Sequence, residues 1–312
     1  MEQRKQVTEG IWMLAIYVLL LLVTLMIPVL SIFSIFFLPI PFVLYTRHFG
    51  VKGSLLLLVG ALVFSVFVFP IFSLPATVIA AGMGIFLGYA IHEELSPYET
   101  LARGAAGFIV GLIAAMFISQ GLFNVNWVTA ISHSMDDSIQ MSQSLLDDMG
   151  VERTKEQTDI LKDQIQLFKD MLPAIFAIVG VVLSWIVQWI GYKILNRKEE
   201  KPLRFPPIRS IRMPAFLLWL YLFVMIGALL TMDSEGTMYL FMNNLWTLLS
   251  FFILLQGISF AYYFAYVKRM PVVLPIIFTV MVLVFPLVLS LTRILGIIDI
   301  GIRLRDRLTP KE

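Results

Sequence analysis

The sequence predicts an all-α membrane protein, a polytopic bundle of transmembrane helices. Of its 312 residues, 59% are hydrophobic and only 14% are charged, whereas soluble domains carry about 25% charged residues. Its mean hydropathy is +0.88. The apolar residues occur in uninterrupted runs of roughly 17 to 25, the length that crosses about 30 Å of hydrocarbon. We expect a six-helix unit followed by two or three C-terminal transmembrane helices.

Five apolar segments fill the first part of the chain. We predict helices over 11–28, 31–46, 54–70, 75–91 and 101–121. The turn between the second and third segments combines two prolines, a basic cluster and two glycines: Pro39, Pro41, Arg47, His48, Lys52, Gly50 and Gly53. Glycine permits a tight turn, and basic residues stay on the cytoplasmic side. This turn and the basic N-terminal residues predict a cytoplasmic N-terminus in a multi-pass protein of the cell membrane.

A less hydrophobic stretch follows at 122–170. It holds nine acidic and four basic residues, which is compatible with the outer face of the membrane. In its second half apolar residues recur at helical spacing: Leu161, Ile165, Phe168 and Leu172. This spacing predicts an amphipathic helix. The helix either lies on the membrane or caps the bundle, or it extends the next transmembrane helix, predicted over 172–194, out of the bilayer.

The most basic loop is 193–212, with seven basic and two acidic residues. It is the strongest orientation signal in the chain and predicts a cytoplasmic location, while its prolines favour an extended, non-helical course. We therefore divide the chain into an S-component-like six-helix unit (1–195), a basic linker (196–212) and a C-terminal helical part with a basic tail (213–312).

Three more helices are predicted beyond the linker, over 214–232, 239–266 and 271–292, and the last can kink at Pro286. Nine full crossings would place the basic tail outside, against the tendency of basic segments to stay inside. We therefore expect an irregular C-terminal segment, for example a re-entrant or interfacial helix, and a total of eight or nine helices.

Small residues recur every four positions in the fourth and fifth helices, where they permit close approach of two backbones. The residues concerned are Gly84, Gly88, Gly107, Gly111 and Ala115. Two interpretations follow from this pattern. These faces either pack inside the bundle or dock another membrane subunit.

Polar residues inside the predicted spans are few, and no charged residue falls near the middle of one. This scarcity argues against a proton-coupled carrier, which keeps such a group for its ion. The remaining candidates are Gln188, Thr247, Ser250, Gln256 and Ser259. Gln256 and Ser259 share a helix face, where an interhelical hydrogen bond is favoured over a ligand contact.

The outer end of the fifth helix mixes amides with aromatic residues. Its candidate ligand-binding residues are Gln120, Asn124, Asn126 and Trp127. Such a mixture suits a polar pocket with aromatic walls, although the same residue types are ordinary at a membrane edge.

Catalytic and cofactor signatures are absent from the sequence. It contains no cysteine, no nucleotide-binding Gly-rich loop, no Gly-x-Ser-x-Gly motif and no paired histidines. We expect no enzyme activity, no cofactor, no metal site and no nucleic-acid partner. Its expected surroundings are the lipid bilayer and either another membrane subunit or a complex in which a different chain carries the ATPase.

Three stretches resemble the bacterial YybS-type membrane proteins, a family of unknown function. They are the Pro-x-Pro/Arg-x-x-Gly-x-x-Gly hairpin at 39–53, the glycine-rich fourth and fifth helices, and the segment Leu-Gly-Ile-Ile-Asp-Ile-Gly-Ile-Arg at 295–303. This resemblance covers nearly the whole chain.

A more distant resemblance concerns residues 11–195, which look like the S components of energy-coupling-factor transporters and like the rod-shape membrane protein MreD. The resemblance rests on a Pro-containing second helix, a Gly-x-x-Gly turn and a third helix. Membership would imply an outer small-molecule site and helix faces that dock a partner subunit. The chain departs from the S components in its extra C-terminal helices and in lacking an Ala-x-x-x-Ala pair in the first helix.

Two functions follow from these resemblances. The first is a non-catalytic, small-molecule-binding or transport-related subunit. The second is a membrane scaffold of a cell-envelope or morphogenesis complex.

Overall fold

The structure, a computed structural model, describes residues 2–148, 164–197, 203–231 and 236–308, and within these residues all regular secondary structure is helical. The α-helices are α1 (Glu2–Met26), α2 (Pro28–Ser34), α3 (Ile40–Phe67), α4 (Pro70–His92), α5 (Pro97–Phe123), α6 (Trp127–Asp148), α7 (Leu172–Leu195), α8 (Ala215–Leu230), α9 (Thr237–Val267), α10 (Val273–Val284), α11 (Pro286–Ile302) and α12 (Leu304–Leu308). The predicted all-α, polytopic helical fold is confirmed.

Six of these helices are long and apolar enough to cross a membrane: α1, α3, α4, α5, α7 and α9. The bent pair α10–α11 would make a seventh span. The count differs from the expected eight or nine for two reasons. The second and third predicted helices are counted as the single element α3, although its two parts are separated by a turn at Gly50. The helix α8, with 16 residues, reaches only about 24 Å.

The described chain separates into two compact units. Unit 1 contains Met1–Ile165 and Val179–Phe205, and unit 2 contains Gln166–Ile178 and Pro206–Glu312. The division into 1–195, 196–212 and 213–312 stays a prediction.

In unit 1 the predicted glycine turn is present inside α3. Gly50 has φ 68°, a backbone conformation that favours glycine. Thr46 and Ser54 are eight residues apart, which is about 12 Å along a straight helix, yet their hydroxyl oxygens lie 2.6 Å apart. The chain therefore turns back on itself at Gly50.

The small-residue faces of α4 and α5 pack inside unit 1. A Cβ at Gly84 or Gly88 would lie 2.6 Å from a backbone oxygen of α3 or of the turn before it, and one at Gly107 would lie 2.6 Å from Gly82 O. A Cβ at Gly111 would lie 2.9 Å from the backbone of α4, and Ala115 is fully buried. These contacts support the interpretation that the faces pack within the bundle.

Buried hydroxyl groups also connect the helices of unit 1. The Tyr17 hydroxyl donates to Thr77 Oγ1 over 2.6 Å, and Thr77 Oγ1 lies 2.6 Å from Ser65 Oγ. All three side chains are fully buried. Interhelical hydrogen bonds of this kind stabilise helix association in a membrane, and here they join α1, α3 and α4.

The acidic stretch 122–170 differs from the prediction in its first half, where α6 is a helix that the sequence did not reveal. Leu161 lies outside the described residues, whereas residues 164–170 are helical. Met171 N donates to Leu167 O, and Ile175 N donates to Met171 O. The helix thus continues into α7, which favours the extension over a separate surface helix.

Unit 2 is built around α9, a helix of 31 residues. A core of Leu218, Tyr221, Val224, Leu249, Ile253 and Ile300 joins α8, α9 and α11. α9 and α11 cross in backbone contact at Gly257 and Gly296, where neither residue has room for a Cβ. Between α10 and α11 the chain bends by 116°, because Pro286 favours an extended conformation at the residue before it.

Candidate ligand-binding site

The most extensive polar site that we describe lies in unit 2, where the end of the basic linker meets α9, α11 and α12. Its centre is an ion pair between Asp299 of α11 and Arg305 of α12. Arg305 Nε lies 2.9 Å from Asp299 Oδ2, and the two residues are only 4% and 3% exposed. Burying two charges costs several kcal/mol each unless further hydrogen bonds compensate, so their other partners matter.

The guanidinium of Arg305 also contacts the linker backbone and two side chains of α9. Nη1 donates to Arg209 O over 2.9 Å, and Nη2 donates to Ser259 Oγ over 3.0 Å. The guanidinium carbon also lies 5.3 Å from the centre of the Tyr263 ring, a cation–π distance. The cation is therefore bound by the linker, by α9 and by α11 together.

Gln256 connects the carboxylate to the linker. Its Nε2 donates to Asp299 Oδ2 over 2.5 Å, and its Oε1 accepts from Met213 N over 3.0 Å. Ser259, one turn later on the same face, places its hydroxyl 2.6 Å from Ile208 O and 3.0 Å from Ile211 O. These bonds fix the course of the linker across α9.

A change of direction after α11 brings Arg305 back onto the ion pair. Arg303 is left-handed, with φ 53°, and the short helix α12 follows it. The next acidic residue, Asp306, lies 3.3 Å from Arg212 of the linker, with both side chains more than half exposed. The hydrogen bond from Arg305 to Arg209 O and the exposed ion pair of Asp306 with Arg212 thus join the tail to the linker.

A cavity of about 270 Å³ opens beside these ion pairs. Its polar lining residues are Arg212, Gln256, Asp299, Arg303, Arg305 and Asp306. Pro214 and Ala215, at the start of α8, form another part of its wall. The exposed side chain of Arg303 has no hydrogen bond or ion pair with the residues that the structure describes.

The contacts between tail and linker also determine their relative position across the membrane. Because Arg305 binds the linker backbone directly, both lie on one side of the membrane, which we call the linker side. The bent pair α10–α11 begins shortly after α9 and ends at this site, and its 116° bend is that of a broken span or of a re-entrant loop. The bend agrees with the expected irregular C-terminal segment, while the side of the membrane on which the tail lies stays a prediction.

Two of the four residues predicted to bind a ligand, Asn124 and Asn126, cap helices at the junction of α5 and α6. Asn124 ends α5 in a left-handed conformation, and Asn126 Oδ1 accepts from Val128 N and Thr129 N at the start of α6. Gln120 is exposed, and Trp127 is the first residue of α6. They do not line the cavity beside Asp299 and Arg305, and a ligand contact at these residues stays a prediction.

Four of the five polar candidates in the predicted spans form hydrogen bonds within the protein. Gln188 Nε2 donates to Pro97 O in unit 1, and Thr247 donates to Asn243 O within α9. Ser250 Oγ is buried without a partner among the described residues. Gln256 and Ser259 form the favoured bonds to other segments.

Sequence reasoning missed the ion pair because it ended the last helix at 292, whereas α11 continues to Ile302. That extension places Asp299 in the last turn of an apolar helix, beyond the predicted spans. The available signal was a lone acidic residue in an apolar run, followed six positions later by an arginine.

Comparisons with known proteins agree with the resemblance to the YybS-type family. No solved structure matches the chain. A curated relative, "Uncharacterized protein YybS" of Bacillus subtilis (strain 168), is 24% identical over 311 residues, which cover 98% of this chain and 99% of the relative. The family model described as "Predicted membrane protein (DUF2232)" matches residues 15–300. The chain therefore belongs to the DUF2232 family of integral membrane proteins.

Proposed function

We propose that this protein is a non-catalytic membrane subunit that binds a small molecule in the cavity beside Asp299 and Arg305. The observation that carries the proposal is the cavity itself, about 270 Å³ in volume, on which charged and amide side chains from four segments converge. Binding sites for small molecules are concave and carry a few placed polar groups. The side chains of Asp299, Arg305 and Gln256 are buried and hydrogen-bonded, so this part of the site is formed before a ligand arrives.

The binding role is transport-related in this proposal, as in the S components that residues 11–195 resemble. Its support is the series of apolar helices before the linker and the absence of a catalytic motif in the sequence. ATP hydrolysis would belong to a different chain. The proposed cavity lies on the linker side, and thus differs from the outer site that the resemblance implies.

A scaffold of a cell-envelope complex is the second candidate, and the fixed course of the linker favours it. Arg204, Arg209 and Arg212 are exposed, and the linker backbone after Pro207 is bound to α9 and Arg305. A basic surface held in one conformation suits an acidic segment of a partner protein, since less conformational entropy is lost on binding.

Native mass spectrometry of the gently solubilised full-length protein tests the first proposal. We expect a copurifying molecule of defined mass and a rise in melting temperature with the matching compound from a metabolite panel, because a ligand of the native state stabilises it. Ala215→Trp fills the cavity and should remove both effects. Ala261→Trp is the matched control, since Ala261 lines a separate apolar cavity of unit 2.

The absence of any bound molecule, with a melting temperature that ignores the panel, would overturn the binding proposal. So would a ligand that Ala215→Trp retains. Repeated crosslinking of one partner protein from the linker, together with an empty cavity, would instead favour the scaffold.

A further inference from the structure

We propose that the ligand of this cavity carries a phosphate group, which Arg303 binds with the support of Arg212. The inference rests on the proposed function, because it names the chemistry of the ligand at the same site. It concerns one side chain in particular, the guanidinium of Arg303.

The charges that line the cavity leave Arg303 uncompensated. Asp299 is paired with Arg305 at 2.9 Å, and Asp306 is paired with Arg212 at 3.3 Å. Arg303 lines the same cavity, and none of the described residues forms an ion pair with it. The three arginines therefore exceed the two carboxylates by one positive charge, which favours an anionic ligand.

The geometry of arginine makes phosphate the fitting anion. A guanidinium presents parallel N–H groups that match the oxygens of a phosphate and bind it with charge-assisted hydrogen bonds. Arg212 is exposed and bound to only one carboxylate oxygen, so it can contribute a second cation. α8 begins at Ala215 in the cavity wall, where the helix dipole adds partial positive charge.

Exposed aromatic residues next to the cavity connect it to the membrane. Trp219 lies one helical turn above Ala215 and is 70% exposed, as is the neighbouring Phe216. Aromatic side chains of this kind concentrate where the hydrocarbon meets the headgroups. A phosphate could therefore reach Arg303 as the headgroup of a lipid or as a soluble phosphate ester, and the chemistry at the guanidinium is the same.

Binding by the detergent-solubilised full-length protein, measured by native mass spectrometry, separates the two sources. Short-chain phosphatidylglycerol is compared with the phosphate-free diacylglycerol, and glycerol phosphate with glycerol. We expect the phosphate-bearing member of at least one pair to bind and its phosphate-free counterpart not to bind.

Arg303→Gln is the decisive variant. Glutamine and arginine are both non-glycine residues at the same left-handed backbone position, so the substitution leaves the strain there unchanged. We expect at least a 10-fold loss of affinity, the order that a hydrogen bond to a charged group contributes. Arg307→Gln is the matched control, because it removes the same charge from the same tail outside the cavity lining. The affinity of this variant for the phosphate-bearing ligand should stay within about twofold of that of the unsubstituted protein.

Each outcome bears on the inference. Arg303-dependent binding of glycerol phosphate supports a soluble source, and binding of phosphatidylglycerol alone supports a membrane source. Equal losses in Arg303→Gln and Arg307→Gln, or no phosphate binding at all, overturn it. A phosphate-free ligand that Ala215→Trp expels would overturn the inference while the proposed binding function stands.

Discussion

The buried ion pair makes the stability of the linker side sensitive to one substitution, Arg305→Met. Methionine keeps most of the side-chain length but removes the charge and the hydrogen bonds of the guanidinium to Asp299, Arg209 O and Ser259. Asp299, only 4% exposed, is then left with Gln256 as its one described partner. Removing one member of a buried pair costs about 3–5 kcal/mol, a large part of the total stability of a typical domain.

The exposed pair between Arg212 and Asp306 supplies the control in the same part of unit 2. Its two side chains are 60% and 52% exposed, and ion pairs of this kind contribute about 0–1 kcal/mol. Asp306→Asn should therefore have a small effect. The predicted difference between the two single variants is about 2–5 kcal/mol, or roughly 30-fold to 4,000-fold in the ratio of open to closed linker.

Native-state proteolysis measures this ratio. Trypsin cleaves after arginine, and Arg209 and Arg212 lie in the segment that Arg305 binds. When opening is fast relative to cleavage, the cleavage rate follows the population of the open form. We expect rapid cleavage of this segment in Arg305→Met and nearly unchanged cleavage in Asp306→Asn.

A double variant distinguishes destabilisation by the unpaired charge of Asp299 from destabilisation by altered packing. Asp299→Leu combined with Arg305→Met removes both charges and should recover most of the loss, because apolar pairs often replace buried ion pairs without cost. If Arg305→Met behaves like Asp306→Asn, or if the double variant is cleaved as fast as Arg305→Met, the reasoning from buried charge is refuted.

Two other predictions concern packing and topology. Gly296→Ala places a methyl group against the carbonyl of Ile253 and should lower the free energy of unfolding by about 1–3 kcal/mol, measured by thermal unfolding. Gly121→Ala is the control, because open space surrounds Gly121 and the added methyl group should not destabilise the protein. Equal melting temperatures of the two variants would contradict the close crossing of α9 and α11. Because the chain has no cysteine, Arg212→Cys and Arg307→Cys can be labelled singly in sealed vesicles with an impermeant maleimide. Both cysteines should react from the same side of the membrane, and a cysteine at the start of α9 should react from the opposite side. Labelling of Arg212→Cys and Arg307→Cys from opposite sides would contradict the shared linker side.

Features governed by local backbone chemistry could be predicted from the sequence. Gly50 marks a turn because only glycine adopts its backbone conformation at little cost. Pro286 marks the break before α11 because proline lacks an N–H group and restricts the preceding residue. The close packing at Gly84 and Gly107 follows from the small-residue spacing of two apolar helices.

Features that depend on distant segments could not be predicted in this way. Asp299 and Arg305 are six residues apart, and a straight helix would place them about 9 Å apart along its axis. They meet because Arg303 reverses the chain, and a left-handed arginine has no sequence signal. The linker carbonyl groups that bind Arg305 and Ser259 could not be predicted either, since every residue has a carbonyl group.

The cost of the ion pair suggests what the network achieves for the site. A pair of apolar residues would stabilise this part of unit 2 at least as well, but it would offer no donors for the carbonyl oxygen of Arg209. With Arg305 and Gln256 in place, the linker backbone is bound at Arg209 and Met213, on the two sides of Arg212. The buried charges thus hold one guanidinium inside the protein and, through the backbone, position Arg212 beside the cavity that Arg303 lines. Loss of the buried pair should consequently weaken phosphate binding even though Arg303 itself is retained. In the apolar double variant Asp299→Leu/Arg305→Met, stability should largely recover, whereas the affinity for phosphate should recover less.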